Sequence, residues 1–110
     1  MIADLPEGES VAATTDRLRR DGRAVDLVPE AADKGELLDA FARALSLPAY
    51  FGHNLDALND SLGDLHPGEP TTVVWLAGRI ERDDPKLYGT VRQILEQSLP
   101  NDVDVLICHR

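Results

Sequence analysis

The sequence predicts an α/β protein in which a small three-stranded parallel sheet packs with helices. Three short apolar segments have the length and composition of strands, and each follows a glycine or proline within three residues. The segments between them carry apolar residues at helical spacing. Because strands that alternate with helices pair in parallel through crossover connections, this order favours one sheet flanked by helices. The chain has 110 residues, of which 43% are apolar, and it is predicted to form one domain.

The first elements are predicted from a cap and an alternating pattern. Residues 1–8 are predicted to be an irregular lead-in. Ser10 is a favourable N-cap for a helix that runs to about Arg20. Residues 24–28 alternate enough to form a short strand, which Pro29 ends. The sheet is therefore predicted to begin at residue 24.

Two helices are predicted in the middle of the chain. Asp33 and Glu36 have the spacing of a capping box, which predicts a helix that ends at Pro48. Asn54 is a favourable N-cap for a further helix over residues 55–65. Each helix has regularly spaced apolar residues, which predicts one buried side.

A strand, a helix and a final strand complete the predicted order. Residues 71–76 are almost continuously apolar, which suits a strand covered on both faces of a parallel sheet. Asp84 and Pro85 open the last helix, because proline is favourable at the first helical position. The closing strand is predicted over residues 103–108.

The charge balance limits the classes of partner. Twenty acidic residues against eleven basic ones give a formal net charge of −9. This charge disfavours direct binding to nucleic acids or anionic membranes and favours rapid capture of a basic partner, although it can also serve solubility alone. One cysteine, Cys108, excludes an internal disulfide. With neither a signal-peptide pattern nor an apolar run of about 20 residues, the protein is expected to be cytoplasmic.

The most informative segment lies between Leu45 and Arg79, where the chain has no lysine or arginine. On the helix over residues 55–65, three aspartates follow one another at intervals of four residues and form a stripe that we call the acidic face: Asp56, Asp60 and Asp64. The opposite stripe consists of leucines: Leu55, Leu58, Leu62 and Leu65. Because neighbouring carboxylates repel one another, the pattern indicates a cationic partner.

Catalytic and metal-binding alternatives have weaker support. Asp56 and Asp60 are one helical turn apart, a spacing compatible with a pair of catalytic carboxylates in a hydrolase. If the protein were a hydrolase, its activity would disappear when either residue is changed. However, the pattern implies an exposed face without a cleft, and Ser61 has no neighbouring base. His53, Asp56 and His66 match no zinc or calcium spacing. The sequence therefore predicts no catalytic residue, no metal site and no cofactor.

Residues 47–62, LPAYFGHNLDALNDSL, resemble the signature of the barstar family, the intracellular inhibitors of barnase-type ribonucleases. The shared pattern is Leu-Pro, two aromatics, Gly, any residue, Asn, a hydrophobic residue, Asp-Ala-Leu, a variable residue and Asp. A weaker resemblance extends from about Ala24 to Cys108. The resemblance implies a barstar-like domain over residues 1–110, with an additional N-terminal segment and helix at about 1–23.

The resemblance also implies a partner and a surface. The loop and the acidic helix would block the active site of a basic ribonuclease, with the Asp60 position where the RNA phosphate binds and Asp56 as a second interfacial aspartate. A ribonuclease site binds anions, so a carboxylate on a rigid helix suits it. The chemistry of Tyr50 and Phe51 alone allows two interpretations: they pack in the core, or they lie on the surface and anchor a protein partner. The remaining residues assigned to the partner surface are Tyr50, Phe51, Gly52, Asn54, Leu55, Ala57, Asn59, Gly63 and Asp64.

Departures from the family pattern bear on the identity of the partner. Asn59 stands where the family prototype has tryptophan, and Phe51 replaces a tyrosine. Either Glu96 or Gln97 matches a glutamate late in the last helix. The stretch Gly63-Asp64-Leu65 also differs from the prototype. Asn59 and Asp64 leave a second hypothesis open: an immunity or regulatory module of the same fold that acts on a non-ribonuclease partner. In both cases the partner is a protein, and the free protein is expected to be a monomer.

Overall fold

The computed structural model describes residues 1–47, 54–65 and 67–110 of the chain. Within these residues there are four strands: β1 (Ile2–Asp4), β2 (Ala24–Val28), β3 (Thr71–Leu76) and β4 (Val103–Cys108). There are also five helices: α1 (Val11–Arg20), α2 (Lys34–Ala44), α3 (Leu55–Gly63), α4 (Gly78–Asp83) and α5 (Pro85–Ser98). None of these five helices is long and apolar enough to span a membrane.

The strands form one parallel sheet in the order β1-β4-β3-β2, which confirms the predicted α/β class. The predicted number of strands, however, was three, and the sheet has four. The additional strand is β1, which lies in the segment predicted to be an irregular lead-in. It has only three residues and pairs with β4 in the register Ile2↔Val105 to Asp4↔Ile107. A strand this short has no alternating pattern of its own, and its partner lies at the other end of the chain.

Local signals account for the elements that were predicted. The three longer strands have the predicted bounds. The Ser10 hydroxyl accepts a hydrogen bond from the Ala13 N–H at 3.2 Å and caps α1. Asp84 caps α5 in the same way, through the Leu87 N–H at 3.1 Å. The helix predicted over residues 55–65 ends slightly earlier, at Gly63.

The short helix α4 was not predicted. Its six residues include Ile80 as the only large apolar side chain, and Ala77 at its N-cap position makes no side-chain hydrogen bond. The helix begins with Gly78, which lies so close to the end of the chain that a Cβ atom there would be 2.6 Å from the Arg110 carbonyl carbon. The helix therefore depends on a tertiary contact rather than on a local cap or an apolar stripe.

The hydrophobic core lies between one face of the sheet and the helices α2, α3 and α5, and Ile80 of α4 also enters it. Alternate residues of β3 and β4 enter it, among them Val73 and Trp75. Phe41 of α2 contacts the Trp75 ring edge-on, with 5.6 Å between the ring centroids. The other core side chains from helices include Leu37, Leu38, Leu58, Leu62, Val91 and Leu95. The opposite face of the sheet also has buried residues, including Thr72 and Val74. Along the chain, α1 connects β1 and β2, which are the two edge strands of the sheet.

A charged cluster ties β1 to α4 and α5. Asp4 Oδ1 accepts a hydrogen bond from Arg92 Nη1 at 2.8 Å and lies 2.7 Å from His109 Nε2. The other ring nitrogen, His109 Nδ1, lies 2.8 Å from Glu81 Oε1. Two carboxylates favour the imidazolium form, in which both ring nitrogens donate. The hydrogen bonds from Arg92 and His109 lower the pKa of Asp4 to about 2.

The same cluster makes the stability of the protein dependent on pH. Partial burial lowers the pKa of His109, but the hydrogen bonds with Asp4 and Glu81 outweigh this effect and raise it above the usual 6.5. A raised folded-state pKa contributes stability that is complete below pH 6.5 and lost as the pH rises through the folded-state value. Asp4, whose pKa is lowered, contributes stability above its usual 3.8 and loses it as the pH falls towards 2.

The stability of the wild type should decline as the pH rises through the folded-state pKa of His109. We therefore expect this decline to be smaller in the His109→Gln variant. Its unfolding temperature should lie about 1–8 °C below that of the wild type at pH 6, because partly exposed ion pairs contribute about 0.2–1 kcal/mol, and the difference should shrink at pH 9. Thermal unfolding followed by circular dichroism at both pH values measures this. An equal difference at pH 6 and pH 9 would contradict the role of the imidazolium.

Candidate functional site

Helix α3 has a buried side and an exposed side. Its N-cap is Asn54, whose Oδ1 accepts a hydrogen bond from the Ala57 N–H at 2.7 Å. Leu58 and Leu62 are completely buried in the core. The predicted partner-binding residues that the structure shows to be exposed are Asn54, Asp56, Asn59, Asp60, Gly63 and Asp64. The two-sided helix predicted from the leucine and aspartate stripes is therefore confirmed.

The remaining predicted partner-binding residues differ in their setting. Leu55 and Ala57 are half-buried and pack against the hydrophobic core, so they support the position of α3 in the fold. Tyr50, Phe51 and Gly52 lie outside the described residues. The structure thus brings the three aspartates and Asn59 together on the exposed side of α3, and it places Leu55 and Ala57 at the boundary with the core.

The acidic face carries uncompensated negative charge. Among the residues that the structure describes, no cationic group lies within ion-pair distance of Asp56, Asp60 or Asp64. Asp56 is in the first turn, where the helix dipole favours an anion. Asp60 and Asp64 lie at the other end, where the dipole disfavours one, and Asp64 is the C-cap residue. Two of the three carboxylates therefore stand in an unfavourable field within the free protein.

A contact with α5 extends the site beyond α3. The hydroxyl of Ser98, the last residue of α5, donates a hydrogen bond to Asn59 Oδ1. Sequence reasoning missed Ser98, because residues 39 positions apart share no local pattern. Of the two candidates for the late-helix glutamate, Glu96 is paired with Arg92 at 3.4 Å, whereas Gln97 is exposed and directly precedes Ser98. Gln97 is thus next to the α3 contact, while Glu96 belongs with the charged cluster.

The chemistry of this surface is that of an anion presented on a rigid support. Within the described ranges, no group of three or more His, Cys, Asp or Glu side chains could hold a metal ion. Asp56 and Asp60 are open to solvent on the outer side of a helix whose inner side is anchored by two buried leucines. Such a surface can occupy a cationic pocket of another molecule without itself changing shape.

Comparison with known proteins identifies the family. The family described as Barstar (barnase inhibitor) matches residues 24–104, which run from the start of β2 through α2, α3, β3, α4 and α5 to the first two residues of β4. The β1–α1 segment, residues 1–20, lies outside the match. No curated protein matches the chain. Because the family match covers well over half of the sequence, and the acidic helix lies within it, the chain belongs to the barstar family.

Proposed function

We propose that the protein is a cytoplasmic inhibitor of a basic, barnase-type ribonuclease, and that it blocks the active site with α3 and the loop before it. The observation that carries the proposal is the acidic face, with Asp56 and Asp60 exposed and uncompensated by any cation among the described residues. Membership of the barstar family, whose members are described as barnase inhibitors, supports the same function. A single cysteine, Cys108, is compatible with a reducing compartment.

The proposed mechanism is competition between a carboxylate and the RNA phosphate. A ribonuclease binds the phosphate with cationic donors, and a carboxylate forms strong hydrogen bonds with the same donors. Unlike the phosphodiester, the carboxylate offers no bond that the enzyme can cleave. Leu58 and Leu62 hold α3 in the core, so that little conformational entropy is lost when Asp60 enters the pocket.

A capture experiment followed by an inhibition assay tests the proposal. The immobilised protein is used to capture its partner from host-cell extract, and RNA cleavage by the purified partner is then measured against increasing amounts of inhibitor. We expect cleavage to stop at one equivalent of inhibitor, and excess RNA to slow the onset of inhibition. A captured ribonuclease that keeps its full activity in the complex would contradict the proposal.

Association should be fast and sensitive to salt, because the acidic face and a basic active site attract one another over a distance. We expect the association rate constant to fall by roughly tenfold or more between low salt and about 0.5 M salt, since screening shortens the range of the attraction. The dissociation rate should change less. Stopped-flow mixing with the captured ribonuclease at several ionic strengths measures both, and a salt-independent association rate would argue against electrostatic steering.

A second candidate function is that of an immunity or regulatory module acting on a partner other than a ribonuclease. It is favoured by Asn59, which replaces the tryptophan of the family prototype and is held by Ser98 in this protein. The capture experiment separates the two functions. A partner that binds stably but has no nuclease activity would support the second, and suppression of RNA cleavage supports the first.

A further inference from the structure

Asn59 carries a neutral amide and lies among the aspartates of the acidic face. It lies one helical turn after Asp56 and directly before Asp60, and all three side chains are exposed. The Ser98 hydroxyl donates to Asn59 Oδ1, so the side chain is held from a second helix. This contact favours one orientation of the amide in the free protein.

This orientation determines what Asn59 can offer to another molecule. An asparagine side chain has one carbonyl oxygen, which accepts hydrogen bonds, and one NH2 group with two donor hydrogens. Ser98 occupies one of the two lone pairs of the oxygen, whereas both donor hydrogens of the NH2 group are left for an external contact. No acceptor among the described residues is hydrogen-bonded to it. The acidic face thus contains one oriented donor beside two carboxylates.

We propose that the Asn59–Ser98 pair is a specificity element that selects a partner with a carbonyl oxygen opposite Asn59, next to the cations that face Asp56 and Asp60. This inference rests on the proposed function. A carbonyl fits better than a carboxylate, because a partner's anion at this place would face two aspartates. A basic surface without such an oxygen would leave the Asn59 donor unpaired in the interface, which disfavours that partner.

The Asn59→Asp variant separates this proposal from simple charge attraction. Aspartate keeps the shape of the side chain and the oxygen that accepts from Ser98, but it replaces the NH2 group with a second oxygen. Attraction to a basic enzyme alone would make this variant bind more tightly. The proposal predicts weaker binding to a barnase-type ribonuclease that the wild-type protein inhibits, by roughly tenfold or more, because the donor is lost and its acceptor faces a negative charge.

A matched control adds the same charge elsewhere. Gln93 is an exposed residue of α5, and the Gln93→Glu variant gains one negative charge without altering Asn59 or Ser98. We expect this variant to bind as tightly as the wild type or slightly more tightly. Asn59→Asp binding that equals or exceeds that of Gln93→Glu would overturn the proposal.

Ser98 is a positioning residue in this scheme, and two variants test it. Ser98→Ala removes the hydroxyl that holds Asn59, and we expect a roughly two- to tenfold loss of affinity, with a small fall in the unfolding temperature because the bond also exists in the free protein. Ser98→Thr keeps the hydroxyl and should restore the affinity. Wild-type affinity in Ser98→Ala, or equal losses in both variants, would overturn the positioning role.

The Asp60→Ala variant, measured alongside, separates failure of this inference from failure of the proposed function. If Asp60→Ala still inhibits the ribonuclease fully, the active-site block itself is wrong. If Asp60→Ala loses inhibition while Asn59→Asp binds at least as tightly as the wild type, only the specificity element is overturned. Loss of binding in both variants, with the Gln93→Glu control unaffected, supports both proposals.

Discussion

If the proposed function is correct, the Asp60→Ala variant should bind the inhibited ribonuclease about 30-fold to several thousandfold more weakly than the wild type. This range corresponds to a loss of roughly 2–5 kcal/mol of binding free energy, which is typical when one partner of a buried, hydrogen-bonded charge pair is truncated. Complexes of this family are a standard example of that general range. The loss is large because the enzyme's cationic groups would remain desolvated without a counter-charge. It should appear mainly as faster dissociation.

The same substitution should leave the fold intact. Asp60 is exposed and has no cation within ion-pair distance among the described residues, so alanine removes no stabilising contact that the structure shows. The carboxylate also lies near the unfavourable end of the α3 dipole. We therefore expect the free energy of unfolding to be unchanged or to rise by about 0.3–1 kcal/mol.

Titration calorimetry of the complex and urea unfolding of the free protein measure the two effects. The matched control is Asp64→Ala, which removes the same charge one turn further along the acidic face, at a position that the family pattern does not explain. We expect a smaller loss of affinity in this control, mainly through slower association. Unchanged affinity in Asp60→Ala would mean that α3 does not enter the active site.

The second large effect is expected in stability rather than binding. Leu62→Ala should lower the free energy of unfolding by about 2–5 kcal/mol, because Leu62 is completely buried and its loss leaves a cavity that the core fills only in part. This is a large fraction of the 5–15 kcal/mol typical of a small domain. The unfolding temperature should fall by roughly 10 °C or more.

Urea unfolding of Leu62→Ala and of a control, Leu55→Ala, tests the two sides of α3. Leu55 is only half-buried, so its truncation should cost clearly less than that of Leu62. Below the unfolding transition, Leu62→Ala should bind the ribonuclease almost as tightly as the wild type, since its side chain points into the core. If Leu62→Ala lowered the free energy of unfolding by less than about 1 kcal/mol, the leucine side of α3 would not be buried as the structure shows.

Together, these variants explain why one short helix can tolerate an unfavourable surface. Burial of Leu58 and Leu62 supplies several kcal/mol that hold α3 in place. The repulsion and the dipole effects at Asp60 and Asp64 cost about 1 kcal/mol or less each. The apolar side therefore outweighs the acidic side, and the free protein can present carboxylates whose counter-charges are expected on another molecule.

The elements that were predicted correctly depend on interactions within a few residues. Ser10, Asn54 and Asp84 cap helices through N–H groups three residues ahead, and these contacts can be read from the sequence. The strand β3 was recognisable because its apolar run is nearly continuous. In contrast, β1 and α4 have too few residues for a period to be visible, and each depends on a contact with the C-terminal part of the chain.

By itself, the sequence determined the parallel α/β class, the two-sided character of α3 and the motif that marks the family. These properties follow from spacings of two to four residues, which local backbone geometry converts directly into faces of strands and helices. Only the tertiary structure decided that β1 completes the sheet, that His109 lies between Asp4 and Glu81, and that Ser98 holds Asn59. These contacts join residues that are far apart in the chain, and which residues meet depends on how whole helices and strands pack around the shared core.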